Sequence, residues 1–295
     1  MGHPQNGIGE VATSTFLRNR KTSDFYAKLI PSEPRAPADL AHQDYFVPAF
    51  WPGGWERNYF HWTLDILPSI LATIEWAVAL ERAVYVLKPS SHAKDLPAFV
   101  NQWLDLLEHR FSEVAIVDEW SEKDVPSHVF QIVNGRIRRK GGATKGTRTF
   151  TTRIDDQLVS LLRRFSPANV EDGELKSRIL VSRRNSPTRQ RRTDLSLEET
   201  VVGYGFQSVL LERLTITDQA TLFSNASHVA GLHGAGLANL VWTSNAKVFE
   251  FVGIRHVILN RRTEYRQVSR TRGNEHTWLW ARDPRTQARL ATLME

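Results

Sequence analysis

The 295-residue chain contains no cysteine, so it can form neither a disulfide nor a thiolate metal site. It also lacks a run of about 18 apolar residues. Its longest apolar stretch, Ile66 to Leu80, is interrupted by Pro68, Ser69, Thr73 and Glu75, and no membrane-spanning helix is expected. The first ten residues do not show the basic-then-apolar pattern of a secretory signal. Gly-x-x-x-x-Gly-Lys-Ser/Thr and Gly-x-Ser-x-Gly are both missing, which removes the P-loop and α/β-hydrolase readings. Together these absences favour a cytoplasmic protein.

What is present is ordinary for a globular chain: 41% hydrophobic and 24% charged residues. The length suits two modest domains or one large one. A net charge of +6 fits phosphate-bearing ligands, nucleic acid or an anionic membrane face. Nine tryptophans and fourteen phenylalanines are read mainly as core.

Residues 1–41 are polar, carry four prolines and show no sustained periodicity, which reads as an arm. A strand at Gln43–Phe50 leads to the turn Trp51-Pro-Gly-Gly54. A helix from Asn58 to about Leu80 follows, which Pro68 must kink or restart. Strands at Ala83–Leu87, Val114–Val117 and His128–Val133 and a helix at Leu96–Arg110 continue the alternation of a parallel α/β sheet. The glycine- and arginine-rich stretch 134–150 reads as a flexible basic loop at the lobe junction or active site, and a helix at Thr152–Phe165 comes next. The second half repeats the logic. Strands are predicted at Ile179–Ser182, Gln207–Leu211, Val229–Leu232 and Lys247–Phe251, with helices at Ser196–Val202, Thr217–Ser224 and Leu237–Val241. An arginine-rich tail from Arg255 ends in a strand at Thr277–Trp280 and a helix at Pro284–Met294.

The most informative stretch is Ser227-His-Val-Ala-Gly-Leu-His-Gly-Ala-Gly-Leu-Ala-Asn-Leu-Val-Trp242. It predicts a buried strand, a turn of His233, Gly234, Ala235 and Gly236, and a helix opening at Leu237. Such a turn aims backbone N–H groups at one point, where a diphosphate can bind. Arg183 and Arg184 follow another buried strand, and an arginine fork matches phosphate oxygens. In parallel sheets ligands gather at the carboxyl ends of strands, where both motifs lie. Arg183 is the preferred diphosphate partner. Arg189, Arg191 and Arg192 fit a solvated loop or one that closes over a nucleotide. Glu250, inside the apolar run Val248–Val252, requires a partner; ribose hydroxyls or an ion pair to a neighbour such as Arg255 would serve. His233 and Asn239 complete the donor-site candidates. Asn58, His61 and Asp65, spaced i, i+3, i+7, share a helix face. Asp65 is the first choice for a general base and His61 the second, while Asp65 could instead cap a helix restarted near Pro68. His61 and Asp65 lack a third metal ligand.

Three blocks in order, Asn58-Tyr-Phe-His-Trp-Thr-Leu-Asp-Ile-Leu-Pro68, Leu180-Val-Ser-Arg-Arg184 and Gly231-Leu-His-Gly-Ala-Gly-Leu-Ala-Asn239, with Val248-Phe-Glu-Phe251 after them, resemble glycosyltransferase family 61 over roughly residues 42–270. The resemblance implies a GT-B-like α/β architecture: two Rossmann-like lobes with a cleft between them. It divides the chain into an arm (1–41), an acceptor-side lobe (42–150), a nucleotide-sugar lobe (151–270) and a C-terminal strand and helix (271–295) packing back on the first lobe. It implies inverting transfer from a nucleotide sugar, a UDP-sugar first, to a hydroxyl of a glycan or lipid-linked acceptor. Capsule, exopolysaccharide or lipopolysaccharide synthesis in the bacterial cytoplasm is the expected setting, with peripheral association at the inner face of the plasma membrane left open. Asn58, Arg183, Arg184, His233, Gly234, Ala235, Gly236, Asn239 and Glu250 would bind substrate, and Asp65 and His61 would handle the proton. No cofactor is required, the Asp-x-Asp motif that grips Mn²⁺ being absent; a divalent cation accompanying the nucleotide sugar stays open. Two alternatives remain, another polysaccharide-modifying transfer such as pyruvylation, and nucleic-acid binding through the Arg183–Arg192 run. The latter is disfavoured because the run holds no interleaved aromatics.

Overall fold

Short β-branched runs alternating with helical stretches build two separate parallel sheets in the computed structural model. It describes residues 10–13, 44–50, 54–79, 81–88, 96–118, 128–131, 135–139, 148–152, 154, 156–168, 177–185, 192–253, 264–281, 283 and 285–294. The chain divides into two units, Met1–Ile154 and Asp155–Glu295.

In the first unit a strand β1 (Glu10–Thr13) stands within the stretch expected to be an arm; residues 1–9 and 14–41 of that stretch lie outside the described residues. Strands β2 (Tyr45–Pro48), β3 (Val84–Leu87) and β4 (Val114–Val117) pair in parallel in that order. Strand β5 (His128–Gln131) was expected to continue the alternation but instead pairs antiparallel with β1. The stretch read as a basic loop forms at its two ends an antiparallel pair, β6 (Gly135–Arg139) and β7 (Arg148–Thr152). Ile137 faces Phe150 in that register. A period-2 alternation was thus present, obscured by the glycines and lysines of 140–147, which lie outside the described residues.

Helix α1 (Tyr59–Ala79) opens where Asn58 caps it, the side chain accepting the Phe60 N–H at 3.0 Å. It then widens into a π turn at Trp62–Ile66, where the Leu67 N–H donates to the Trp62 carbonyl. Pro68 accounts for the widening. Its ring has no N–H to give and would strike the Leu64 carbonyl in an ordinary α-helix, and the longer turn removes that clash without ending the helix. By length and composition α1 could cross a membrane, with a mean hydropathy of 1.2 over its window, although no such segment was expected from the sequence. Yet 82% of that window is buried within the protein, with Trp62, Leu64, Ile66, Leu67, Ile70, Leu71 and Ile74 fully enclosed. Helix α2 (Ala98–Arg110) buries Val100, Trp103, Leu104 and Leu107, the three-four spacing of an amphipathic helix.

The second unit begins with α3 (Asp156–Arg164) and then runs β8 (Ser177–Val181), α4 (Arg192–Gly203), β9 (Gln207–Val209), α5 (Ile216–Ser224), β10 (Ala226–Leu232), β11 (Lys247–Val252), α6 (Glu264–Thr271), β12 (Glu275–Trp280) and α7 (Thr286–Met294). A capping box starts α5: Thr215 accepts the Asp218 N–H and the Asp218 carboxylate accepts the Thr215 N–H. All five strands are parallel, in the spatial order β9-β8-β10-β11-β12. Counted within the unit this is the order 2-1-3-4-5 of a doubly wound sheet, whose direction of growth reverses between β8 and β10. One face buries Leu180, Ala230, Phe249, Phe251 and Leu279 under Val201 of α4 and Leu290 of α7. The C-terminal helix, expected on the first lobe, therefore contributes to the core of the second unit.

Phe249 is 2% exposed at the centre of that core. Phe249→Ala is expected to cost about 3–5 kcal/mol in urea unfolding; a loss below about 1 kcal/mol would show that this face is not the core.

Candidate functional site

The reversal point is built by two chains leaving the sheet side by side. The Ser182 N–H donates to the Val209 carbonyl and the His233 N–H to the Phe251 carbonyl, each at 2.9 Å, so both strands continue the ladder one residue before turning away. Arg183 then reaches across to its neighbour: its Nη2 donates to the His233 carbonyl, and to the Leu232 carbonyl at 3.4 Å. Gly234 makes this approach possible, because a β-carbon there would overlap the Arg183 guanidinium. Its φ of 176° is extended, so the need is for space and not for an unusual backbone. A β-carbon on Gly236 would stand 2.9 Å from Leu211 and 3.0 Å from Val181, and one on Gly231 3.2 Å from Val181. The glycines let the turn lie directly on the end of β8.

The element after the turn is a seven-residue 3₁₀ helix, Ala235–Val241, where an α-helix from Leu237 was expected. Its first internal bond runs from the Leu237 N–H to the Gly234 carbonyl at 3.0 Å, so the Ala235 and Gly236 N–H groups precede the ladder. So short an element adds little macrodipole, which leaves these N–H groups and Arg183 as the anion-attracting parts. The Tyr265 hydroxyl pins the turn from the other side, donating to the Gly234 carbonyl at 2.7 Å.

Glu250 is fully buried. Parallel register sets it beside Trp278 and two pairs beyond His276, and all three project on the sheet face that α6 covers. His233 Nδ1 meets Oε1, while His276 Nε2 and Trp278 Nε1 reach Oε2 at 2.8 and 2.9 Å. Burial by itself would raise the Glu250 carboxyl, but the hydrogen bonds and charges of His233 and His276 outweigh it and hold the group at about 2. With no exposed surface, the carboxylate acts on His233 and not directly on a ligand, in place of the expected ribose contact. Arg255, the alternative partner, lies outside the described residues.

The remaining candidates separate. Arg184 is half-exposed and pairs with Glu198 at 3.0 Å, and Glu198 also accepts from Ser182 Oγ at 3.0 Å and from Ser208 Oγ. Asn239 is fully buried; its amide donates to Gln219 at 3.0 Å and to the Gly236 carbonyl at 3.2 Å, a tie that braces the turn from beneath. Arg189 and Arg191 lie outside the described residues, as does the side chain of Arg192. Beside Arg183, Arg184 and Glu198 lies a shallow opening walled by Leu195, Leu197, Leu232 and Phe251. Glu198, Tyr265, Ser269, His276 and Trp278 escaped the sequence reading. Only the alternation of His276, Trp278 and Trp280 along β12 pointed toward any of them.

In the first unit His61 Nδ1 lies 2.6 Å from Asp65 Oδ2. The Asp65 side chain is 2% exposed and that of His61 31%, so the histidine faces solvent with the carboxylate beneath it. The π turn holds Asp65 inside the helix, away from any capping position, and its Oδ1 is buried with no hydrogen-bond partner among the described residues. Burial pushes the Asp65 carboxyl up, opposed by the hydrogen bond and charge of His61. The Trp55 ring stacks on His61 at 4.5 Å. Asn58 is exposed and engaged as the helix cap. Among the described residues no group of three His, Asp or Glu side chains is placed to hold a metal ion.

Residues 59–249, more than half of the chain, match the family described as Glycosyltransferase 61. No curated protein matches the chain itself.

Glu250 and Asp65 predict opposite responses to neutralisation. The folded-state value of Glu250, about 2, lies below its ordinary 4.5, so its ionised form stabilises the fold above pH 4.5 and that contribution disappears as pH falls toward 2. Glu250→Gln should therefore lose about 3 kcal/mol at neutral pH and almost nothing below pH 2. Asp65 is raised, so its ionisation opposes folding as pH climbs above its ordinary value of 3.8. Asp65→Asn should match the parent below that pH and exceed it at neutral pH. Urea unfolding of both variants across pH checks this, and equal-sign shifts would refute it.

Proposed function

The chain belongs to glycosyltransferase family 61, and from that membership we propose that it transfers a sugar, with inversion, from a nucleoside diphosphate donor to a hydroxyl of a glycan or glycolipid. The observation that carries the donor assignment is the Arg183 guanidinium resting on Gly234 at the reversal point of the parallel sheet. Ligands of doubly wound sheets bind at such points. A diphosphate there would meet Arg183 and the Ala235 and Gly236 N–H groups, which can carry the charge that grows on the β-phosphate as it departs. A parallel sheet in each unit supports the GT-B part of this reading. UDP is the first nucleotide to try, and capsule, exopolysaccharide or lipopolysaccharide synthesis at the cytoplasmic face of the membrane is the proposed setting.

In the proposed reaction the acceptor oxygen bonds to the anomeric carbon, the bond from that carbon to the diphosphate oxygen breaks, and the acceptor proton passes to a base. Of the proposed pair, burial favours His61 as the group that takes the proton, with Asp65 orienting it and stabilising the imidazolium. This reverses the order of preference read from the sequence.

Arg183→Ala should weaken UDP binding at least tenfold and lower kcat by roughly 10²–10³, with the fold retained. Gly234→Ala should act similarly, since the added methyl displaces only the flexible end of Arg183. Calorimetric titration and thermal shifts with UDP, GDP and their sugars test the assignment. If no nucleoside diphosphate raises the melting temperature, or Arg183→Ala leaves affinity unchanged, the donor site is elsewhere.

A further inference from the structure

The polar chain behind the turn continues beyond Glu250. Ser269 Oγ, on α6, lies 2.8 Å from His276 Nδ1, and His276 Nε2 lies 2.8 Å from Glu250 Oε2. Glu250 Oε1 meets His233 Nδ1. Ser269 and Glu250 are fully buried, and His233 is 8% exposed. We infer that Ser269, His276 and Glu250 form a hydrogen-bonded relay that holds the Nδ1–H of His233 on Glu250, so that a second proton is taken up at Nε2 and the imidazolium Nε2–H donates to the departing diphosphate. This deepens the donor-site reading above and rests on it.

The sense of each bond follows from the chemistry of the groups. An indole N–H can only donate, so Trp278 gives its hydrogen to Oε2. An ionised carboxylate can only accept, so both imidazoles donate to it. His276 therefore spends Nε2–H on Glu250 and, when neutral, accepts the Ser269 hydroxyl hydrogen at Nδ1. His233 spends Nδ1–H on the other oxygen. Whichever nitrogen is committed to a buried partner decides what the opposite nitrogen can do. Oε2 of Glu250 takes both His276 and Trp278, and Oε1 is given to the ring that begins the glycine turn. The Tyr265 ring, 5.2 Å from His233, walls that imidazole on its flank. Ser269, His276 and Glu250 are thus positioning residues, and His233 is the one that would touch substrate.

Histidine ¹⁵N-labelled protein tests the relay directly through two-bond ¹H–¹⁵N spectra. In the ligand-free parent His233 should show the Nδ1–H form, and in Glu250→Gln that form should give way to a mixture. UDP should move the Nε2 resonance of His233. Ser269→Ala, a milder change in case Glu250→Gln folds poorly, should perturb His276 Nδ1, and Ser269→Thr should restore it. In donor hydrolysis Glu250→Gln should lower kcat roughly ten- to hundred-fold, with KM moving less. A neutral Nε2–H tautomer in the parent, or an unchanged form in Glu250→Gln, overturns the relay. UDP that stabilises the protein yet leaves His233 Nε2 unmoved overturns it too, while the donor site stands. If UDP binds nowhere the donor site fails, and the ligand-free spectrum still decides the relay.

Discussion

A carboxylate inside a sheet must be met by donors or lose its charge, and the second unit is organised around that constraint at Glu250. Its two oxygens draw in His233 from the end of β10, and His276 and Trp278 from β12. Through His276 they engage Ser269 on the covering helix. Four elements are tied at one point, beneath the turn that offers its N–H groups outward. Remove the charge and the edge strand, the helix and the turn lose their common anchor. The same atoms that stabilise the fold also set the ring at the start of the turn, so stability and site geometry share one source.

The second constraint is space. Arg183 lies against the turn only because Gly234 has no side chain, and the turn lies on β8 only because Gly231 and Gly236 have none. The order β9-β8-β10 brings the two chain exits together. None of these contacts is local in sequence: Arg183 and His233 are fifty residues apart. Parallel pairing, which demands a crossover between neighbours, is what converts that separation into contact.

This explains what could be read from the sequence. Arg183, Gly234 and Gly236 were legible because strand-then-glycine and strand-then-arginine patterns mark the carboxyl ends of strands, and all such ends of a parallel sheet lie on one edge. The strands of the second unit were legible as apolar runs. Tyr265, His276 and Trp278 were not, because their roles come from the register between β11 and β12 and from α6 lying over that face, neither of which leaves a local pattern. Helix α6 itself was hidden in an arginine-rich stretch. Asn239 illustrates the converse error: a polar residue inside a motif resembled a ligand contact, whereas its amide closes a buried tie to Gln219 on α5. Glu250 was singled out for the right reason, an unpartnered charge in an apolar strand, but its partners were other side chains.

The two units treat the same chemistry in opposite ways. Both contain a carboxylate beneath a histidine, bonded through Nδ1. Glu250 has three donors and is held at about 2, whereas Asp65 has one, an unmet oxygen and a raised value. A fully satisfied carboxylate is a fixed anchor, suited to locking a ring in one form. An under-satisfied one gains whenever its histidine acquires positive charge, because that is the partner it lacks. The π turn that places Asp65 exists because Pro68 cannot follow an ordinary α-helical turn without a clash. A backbone adjustment imposed by one proline thus leaves a buried charge incompletely met beneath a half-exposed imidazole. Such local dissatisfaction opposes folding and favours taking up a proton, which is the behaviour required of a histidine acting as a base.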